Sequence, residues 1–253
     1  MLACPVGLAG PRISPDGTQI VFAAGGLFST YPDLYVLRLD GGVYADGSII
    51  RQITFDSAAE RAPVWSPDGT KIAFASNRSN PGIYVLDIAS LAVAPLNYIE
   101  PYGQLGHALP HHLDWSPDGS RILFEKLVTF PSVDANIASL DYPSSTVSIV
   151  VSDPVPLRWE DIARWSHDGS SILFGWSQNS VHGISQYIPA SGVETLWRTT
   201  GHASFDWSPD SSQIVYSIYP GGNLFVGPAY ATGGDVQISF VNTDFHVDWG
   251  LRP

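Results

Sequence analysis

One pentapeptide recurs along the chain and constrains the fold more than any other feature. Trp-Ser-Pro-Asp-Gly occupies residues 65–69 and 115–119, and close variants occupy residues 13–17, 165–169 and 207–211. A partial copy begins at Trp249, near the end of the chain. Copies that recur every ~40–50 residues are typical of propeller blades or of helical repeats.

The segments between the copies distinguish these two architectures. Each copy is followed by a short run of β-branched and aromatic residues, for example residues 19–23, 71–75 and 121–125, and then by further runs of the same kind. Such runs, bounded by turn residues, are typical of β-strands. No segment has a sustained helical period. The sequence therefore predicts an all-β propeller of four-stranded antiparallel blades.

The pentapeptide has the chemistry of a tight hairpin corner. Proline fixes one backbone angle, aspartate accepts hydrogen bonds from nearby backbone amides, and glycine takes the left-handed conformation. The preceding tryptophan is expected to end the innermost strand and to pack between blades, because large aromatic side chains dominate cores. Ile13, His167, Ser211 and Gly250 depart from the motif and are expected to weaken single turns without changing the fold.

The motif and the Ile-Ala-Phe strand that follows it at residues 72–74 resemble the repeats of TolB-like β-propellers. The resemblance covers nearly the whole chain and implies a propeller with a loop-lined ligand face. Five second strands predict five complete blades within a single domain, 1–253. The expected blade boundaries lie near 9–61, 62–110, 111–160, 161–203 and 204–243, with a closing strand at 244–250. A ring of six positions with one incomplete blade is the alternative.

Composition narrows the range of partners. The formal net charge is -12, and Lys71 and Lys126 are the lysines of the chain. Such acidity repels phosphate backbones, so nucleic acid is not an expected partner.

One cysteine, Cys4, excludes an intrachain disulfide, and no apolar run is long enough for a transmembrane segment. Residues 1–4 faintly resemble a bacterial lipoprotein cleavage site, but they lack an upstream hydrophobic region and favour a plain terminal thiol.

The residue before each motif position is often charged. Asp114, Arg164, Asp206 and Asp248 hold this position in four copies. Because strands alternate faces, these side chains are predicted to line a central channel. Arg164 would neutralise Asp114 and Asp206, whereas Asp206 and Asp248 could hold a divalent cation such as Ca²⁺ or Mn²⁺. A structural ion ring, a cation site and a catalytic site all remain open.

A second group of polar residues precedes the inner strands and is predicted to surround one channel mouth. Glu60 and Arg61 belong to it, and its candidate ligand-binding members are His111, His112, Glu160, Asp161, His202, Asp244 and His246. Histidine is a common metal ligand. Oligogalacturonate lyases, which are TolB-like propellers, hold a metal with histidines near this face. Their full ligand pattern does not map onto this chain, and ordinary surface histidines are the alternative.

No complete catalytic motif is present, which favours a non-catalytic binding or scaffold propeller over an enzyme. It would present one loop face to a protein, peptide or glycan, in a secreted, periplasmic or cell-surface location of bacterial type. The alternative is a metal-dependent lyase or hydrolase that acts on carbohydrate at the channel mouth. A structural subunit of a surface assembly is a third hypothesis.

Overall fold

The regular structure is entirely β in the part of the chain that the structure, a computed structural model, describes. These residues are 9–25, 31–99, 109–128, 134–151, 159–200, 204–218, 223–230 and 233–238. Blade 1 contains β1 (Ala9–Ile13), β2 (Gln19–Gly25), β3 (Pro32–Arg38) and β4 (Ile50–Gln52). Blade 2 contains β5 (Glu60–Trp65), β6 (Lys71–Ser76), β7 (Gly82–Asp87) and β8 (Val93–Ile99).

Three further blades follow the same order. Blade 3 contains β9 (Leu113–Trp115), β10 (Arg121–Val128), β11 (Asp134–Asp141) and β12 (Val147–Val151). Blade 4 contains β13 (Trp159–Trp165), β14 (Ile172–Gln178), β15 (Val181–Ile188) and β16 (Val193–Thr200). Blade 5 contains β17 (Phe205–Trp207), β18 (Gln213–Ile218), β19 (Asn223–Pro228) and β20 (Val236–Gln237).

Sequential strands pair antiparallel within every blade, which confirms the predicted fold class of a five-bladed β-propeller. Blades 3 and 4 form one continuous sheet, because Ala135 in β11 pairs in parallel with Trp159 in β13. The predicted blade boundaries stay a prediction, and β8 forms despite its weak sequence pattern. Its Pro95 lies on an outermost strand, where a missing N–H is tolerated. The predicted closing strand at 244–250 lies outside the described residues.

The chain groups into two compact units. Residues 1–113, 143–145 and 250–253 form the first, and residues 114–142 and 146–249 form the second. Blades 1 and 2 lie in the first unit. Blades 4 and 5 lie in the second, together with blade 3 from Asp114 onward. A single domain over the whole chain therefore stays a prediction.

The motif tryptophans pack between blades, as predicted. In the first unit, Trp65 lies in one core with Val21, Leu34 and Val36 of blade 1. In the second unit, the fully buried Trp207 packs with Leu173 and Ile184 of blade 4. The indole N–H groups of Trp65 and Trp207 donate to the backbone oxygens of Arg12 and Arg164, at 3.1 and 3.3 Å.

The hairpin corners have the predicted chemistry. In blade 2, Ser66 Oγ donates to Asp68 Oδ1 at 2.6 Å, and the Thr70 N–H donates to the same oxygen at 3.0 Å. Gly69 closes the turn with a φ of 68°. Two of the four departures from the motif keep this geometry: Ser211 replaces glycine at a φ of 58°, and His167 replaces proline in a turn closed by Gly169.

Replacing Asp68 with alanine is expected to lower the free energy of unfolding by about 1 kcal/mol, because the corner loses its shared acceptor. The hydrogen bond from Ser66 is the main cause that lowers the pKa of Asp68 to about 2. This pKa lies below the unfolded value, so the stabilisation is present above about pH 4 and is lost as the pH falls toward 2. Urea unfolding at neutral and acid pH measures both effects, and an equal loss for Asp68→Ala at both would contradict this account.

The inner strands carry a bulge just before the motif. In β5 the register shifts between Arg61 and Val64, and Ala62 has a φ of 51°. Equivalent shifts occur in β1 and β13. Because an extra residue reverses the alternation of faces, the bulge moves Glu60 to the buried face of Trp65 and leaves Arg61 exposed.

Candidate functional site

A buried polar cluster lies in the first unit, where β3, β5 and the β6–β7 connection meet. Arg78 forms ion pairs with Glu60 and with Asp56, the latter at 2.7 Å between Nη2 and Oδ2. Its guanidinium carbon lies 5.5 Å from the ring centroid of Phe74 and 5.2 Å from that of Tyr84. Arg78 is therefore held by charge on one side and by aromatic faces on the other.

The polypeptide around this arginine is fixed by hydrogen bonds. The Ala59 N–H donates to Asn77 Oδ1 at 2.6 Å, and the Asn77 N–H donates to the Ala59 oxygen at 3.2 Å. The Ala58 N–H donates to Asp56 Oδ1 at 2.9 Å. The β4–β5 and β6–β7 connections are thus joined directly.

Glu60 carries the most strongly buried carboxylate of the cluster, since its side chain is 0% exposed. Burial raises the pKa of Glu60, and hydrogen bonds from Thr54 and Arg78 partly oppose that shift. Its Oε2 atom is buried and accepts no hydrogen bond from any described residue. Burial therefore favours the protonated form of Glu60, and a cationic neighbour would favour the charged form.

Asp33 supplies a third carboxylate at the start of β3. Its Oδ2 accepts a hydrogen bond from Gln52 Nε2 at 3.0 Å, while its Oδ1 is buried and accepts none from the described residues. Burial raises the pKa of Asp33, the charge of Asp56 raises it further, and the charge of Arg78 lowers it. Two carboxylates thus form ion pairs with one guanidinium, and a third carboxylate lies near enough for the Arg78 charge to lower its pKa.

An aromatic side chain projects from this cluster. Phe55 lies beside Asp56 in the β4–β5 connection and is 71% exposed. The preceding residues Ile53 and Thr54 are only 2% and 3% exposed. Tyr31, directly before β3, is 46% exposed. The cluster and its aromatic rim offer hydrogen-bond acceptors and apolar surface, which is the chemistry of a binding site.

The second unit contains an ion pair of a different kind. Arg198 Nε and Nη2 donate to the two carboxylate oxygens of Asp235 at 2.7 and 2.6 Å. Its guanidinium lies 4.1 Å from the Trp197 ring centroid. One cation meets one anion in a bidentate pair that joins blade 4 to blade 5. This pair is balanced in charge, so we treat it as structural.

The predicted channel residues differ in how deeply they are buried. Arg164 and Asp206 are buried, at 8% and 7% exposure, each directly before its motif tryptophan. Asp114 is half-buried, and its Oδ2 accepts the Trp165 backbone N–H at 2.7 Å. Asp248 lies outside the described residues. Three His, Cys, Asp or Glu side chains that could hold a metal do not come together anywhere in the described ranges. The divalent-cation site therefore stays a prediction.

The predicted mouth residues are only partly covered by the structure. His111 is exposed and His112 is half-buried before β9. Glu160 and Asp161 lie in β13, where the structure describes their backbone. Outside the described residues lie Cys4, His202, Asp244 and His246.

Sequence reasoning placed Glu60 at the mouth but missed Asp33, Asp56 and Arg78. The sequence did contain a signal for these three residues. Each lies at or near a strand end, and in antiparallel blades those strand ends lie on the same side.

No family model matches the chain. It is 27% identical over 240 residues to dipeptidyl-peptidase 5 of Porphyromonas gingivalis, which covers 89% of this chain and 31% of the peptidase. It is 36% identical over 107 residues to the Tol-Pal system protein TolB of Alcanivorax borkumensis, which covers 38% of this chain and 23% of that protein.

Among solved structures, TolB from Acinetobacter baumannii matches with a TM-score of 0.69 and 19% identity. The match covers 88% of this chain and 52% of the TolB chain. The chain thus spans about a third or less of these curated relatives and about half of the solved TolB chain. The described residues form no helix with the length and apolarity needed to cross a membrane.

Proposed function

We propose, from the premise that the chain is a TolB-like β-propeller, that it is a non-catalytic module that binds a protein or peptide. The docking surface is the aromatic rim of the first unit, which consists of the exposed Phe55 next to Asp56 in the chain and the exposed Tyr31 directly before β3. The observation that carries the proposal is the exposure of Phe55 on a hydrogen-bonded connection whose residues 53–54 and 58–59 are buried.

The physical reason is preorganisation. An aromatic ring that is already held in position loses little conformational entropy when a partner covers it. Thr54 on one side of Phe55 bonds to the Leu34 N–H at 2.9 Å, and Asp56 on the other side is tied to Arg78. Exposed aromatic residues on rigid supports are frequent hot spots of protein interfaces.

The relatives support a role in binding and suggest a location. One relative is named for the Tol-Pal system, and we extend a protein-binding role and a periplasmic location to this chain as part of the proposal. The acidic composition suits a partner with basic or neutral groups near the rim.

A peptide selection on the purified chain tests this function. Peptides are selected from a random phage-displayed library, and their affinities are measured by isothermal titration calorimetry. Phe55→Ala is expected to weaken the selected peptides by about tenfold or more, because it removes the anchor ring. Phe55→Trp is expected to retain binding.

Ile149→Ala is the matched control, since Ile149 is 46% exposed on a strand of the second unit. It is expected to leave the affinity unchanged. Equal binding by Phe55→Ala and Ile149→Ala would overturn the proposed surface. Selection of glycans in place of peptides, on a glycan array blocked by the same variant, would overturn the class of partner.

A second candidate function is a part in peptide hydrolysis. Its support is the likeness to dipeptidyl-peptidase 5 across 89% of the chain. Turnover of dipeptidyl substrates by the purified chain would favour this candidate over a purely binding role. Elemental analysis of the same preparation tests whether Asp114, Asp206 and Asp248 hold a divalent cation.

A further inference from the structure

Blade 1 carries an extension that blades 2, 3 and 4 lack. Residues 39–49 connect β3 to β4, whereas residues 88–92, 142–146 and 189–192 make the same connection in blades 2, 3 and 4. Insertions in repeat proteins often form binding surfaces. We call residues 39–49 the blade-1 extension.

The extension is an ordered hairpin. The Tyr44 N–H donates to the Ser48 oxygen at 2.8 Å, and the Gly47 N–H donates to the Tyr44 oxygen at 2.9 Å. Ser48 Oγ donates to Asp46 Oδ1 at 2.7 Å, and the Gly42 N–H donates to Asp40 Oδ1 at 2.9 Å. Its backbone is therefore fixed without help from a partner.

This ordered hairpin exposes aliphatic side chains. Val43 is 56% exposed and Ile49 is 51% exposed, and Leu39 and Ile50 beside them are 48% and 44% exposed. Four exposed aliphatic residues thus lie within one short segment, and the β3–β4 register places Ile49 and Ile50 on opposite faces. Apolar patches with a polar rim are typical of protein interaction sites.

The charges of the extension are distributed unevenly. Arg38 Nε donates to Asp40 Oδ1 at 3.0 Å, and this arginine lowers the pKa of Asp40 to about 2. Hydrogen bonds from Ser48 lower the pKa of Asp46. Both carboxylates thus accept hydrogen bonds from residues of the hairpin or of the strand end beside it. Neither one needs a partner protein to supply a donor.

Arg51 is the exposed cation at the base of this surface. Its guanidinium carbon lies 5.9 Å from the Tyr44 ring centroid, and it forms no ion pair with the described residues. Arg38 stacks on the same ring at 5.7 Å. The β3–β4 register pairs Arg51 with Val36, and the Arg38 N–H bonds to the Ile49 oxygen. Ile49, Arg51 and Arg38 consequently share one face of the sheet.

We propose that this face is a second docking surface, which binds a protein segment that carries a carboxylate between aliphatic side chains. The carboxylate pairs with Arg51, whose guanidinium is already oriented by the Tyr44 ring. The aliphatic side chains of the bound segment cover Val43 and Ile49 of this chain. Charge complementarity selects an acidic segment, because Arg51 is exposed and forms no ion pair with the described residues, and its charge is the smallest of the causes that lower the pKa of Asp46.

The test is a selection that uses the whole chain as bait. Random phage-displayed peptides are first depleted on a Val43→Ser/Arg51→Gln variant and are then captured on the natural chain. The enriched peptides are expected to contain Asp or Glu flanked by Leu, Ile or Val. Calorimetry with the best synthetic peptide is expected to show about tenfold weaker binding for Arg51→Gln alone.

Matched variants separate the outcomes. Val193→Ser, at a residue 49% exposed on β16, and Phe55→Ala, at the proposed rim, are both expected to leave this affinity unchanged. Enriched peptides without acidic residues, or peptides that bind Arg51→Gln as tightly, would overturn the proposal. Self-association that Val43→Ser abolishes would also overturn it, by assigning the face to a second copy of the chain.

Discussion

Replacing Arg78 with alanine is expected to lower the free energy of unfolding by about 3 kcal/mol, because it leaves a buried carboxylate without its partner. Glu60 is completely buried and depends on Arg78 for its ion pair, and Asp56 loses the same partner. The variant also removes the guanidinium from the faces of Phe74 and Tyr84. Urea unfolding at neutral pH measures the loss.

The same variant is expected to have a distinctive pH dependence. Burial raises the pKa of Glu60 even with Arg78 present, and without Arg78 that pKa rises further. A carboxyl with a raised folded pKa stabilises the protein most when protonated, and that contribution is lost as the pH rises through the folded pKa. The Arg78→Ala penalty should therefore shrink at mildly acid pH.

Two further variants define what this result means. Arg78→Ala/Glu60→Gln is expected to recover part of the loss, since the uncompensated charge is gone. Arg121→Ala is the control, because Arg121 and Asp141 form an exposed pair at 3.4 Å that should contribute less than ~1 kcal/mol. A pH-independent Arg78→Ala loss, or no recovery in the double variant, would show that packing and not charge dominates.

The local features of the fold could be predicted because they depend on residues close together in the sequence. Each corner needs a serine, an aspartate and a residue with positive φ within one turn, and Ser66, Asp68 and Gly69 supply them. Strand order followed from the repeat, since consecutive strands in a blade pair with their neighbours.

The candidate site could not be predicted in the same way, because a bulge interrupts the alternation on which the prediction depended. Without the positive φ of Ala62, Glu60 would face away from Trp65, toward the predicted channel. Nothing in the local sequence marks Ala62 as a left-handed residue. Arg78 reaches Glu60 from the next strand connection, a contact that only the three-dimensional fold establishes.

The predicted channel residues depend on contacts between blades. Arg164 and Asp206 each lie directly before a motif tryptophan, and both are buried. The sequence could not predict that Asp114 accepts the Trp165 backbone N–H, since the two are brought together by the packing of neighbouring blades. Whether they line a channel with Asp248 stays a prediction.

Replacing Trp207 with alanine is expected to cost about 3–5 kcal/mol, because it removes the largest fully buried side chain of the described core. Trp207 packs with Ile162 and Phe205 and lies between blades 4 and 5. Thermal and urea unfolding measure the loss. A cost near zero would contradict the view that the motif tryptophans hold the blades together.

Trp207→Phe separates apolar packing from hydrogen bonding. Phenylalanine keeps much of the apolar area but removes the donor to the Arg164 oxygen, so a loss of about 1–3 kcal/mol is expected. Trp165→Phe is the matched control within the same repeat. The buried Trp165 Nε1 has no acceptor among the described residues, so this change should be nearly neutral. If both variants lost equal stability, ring volume alone would explain the motif, and the indole–carbonyl bond between blades would contribute nothing measurable.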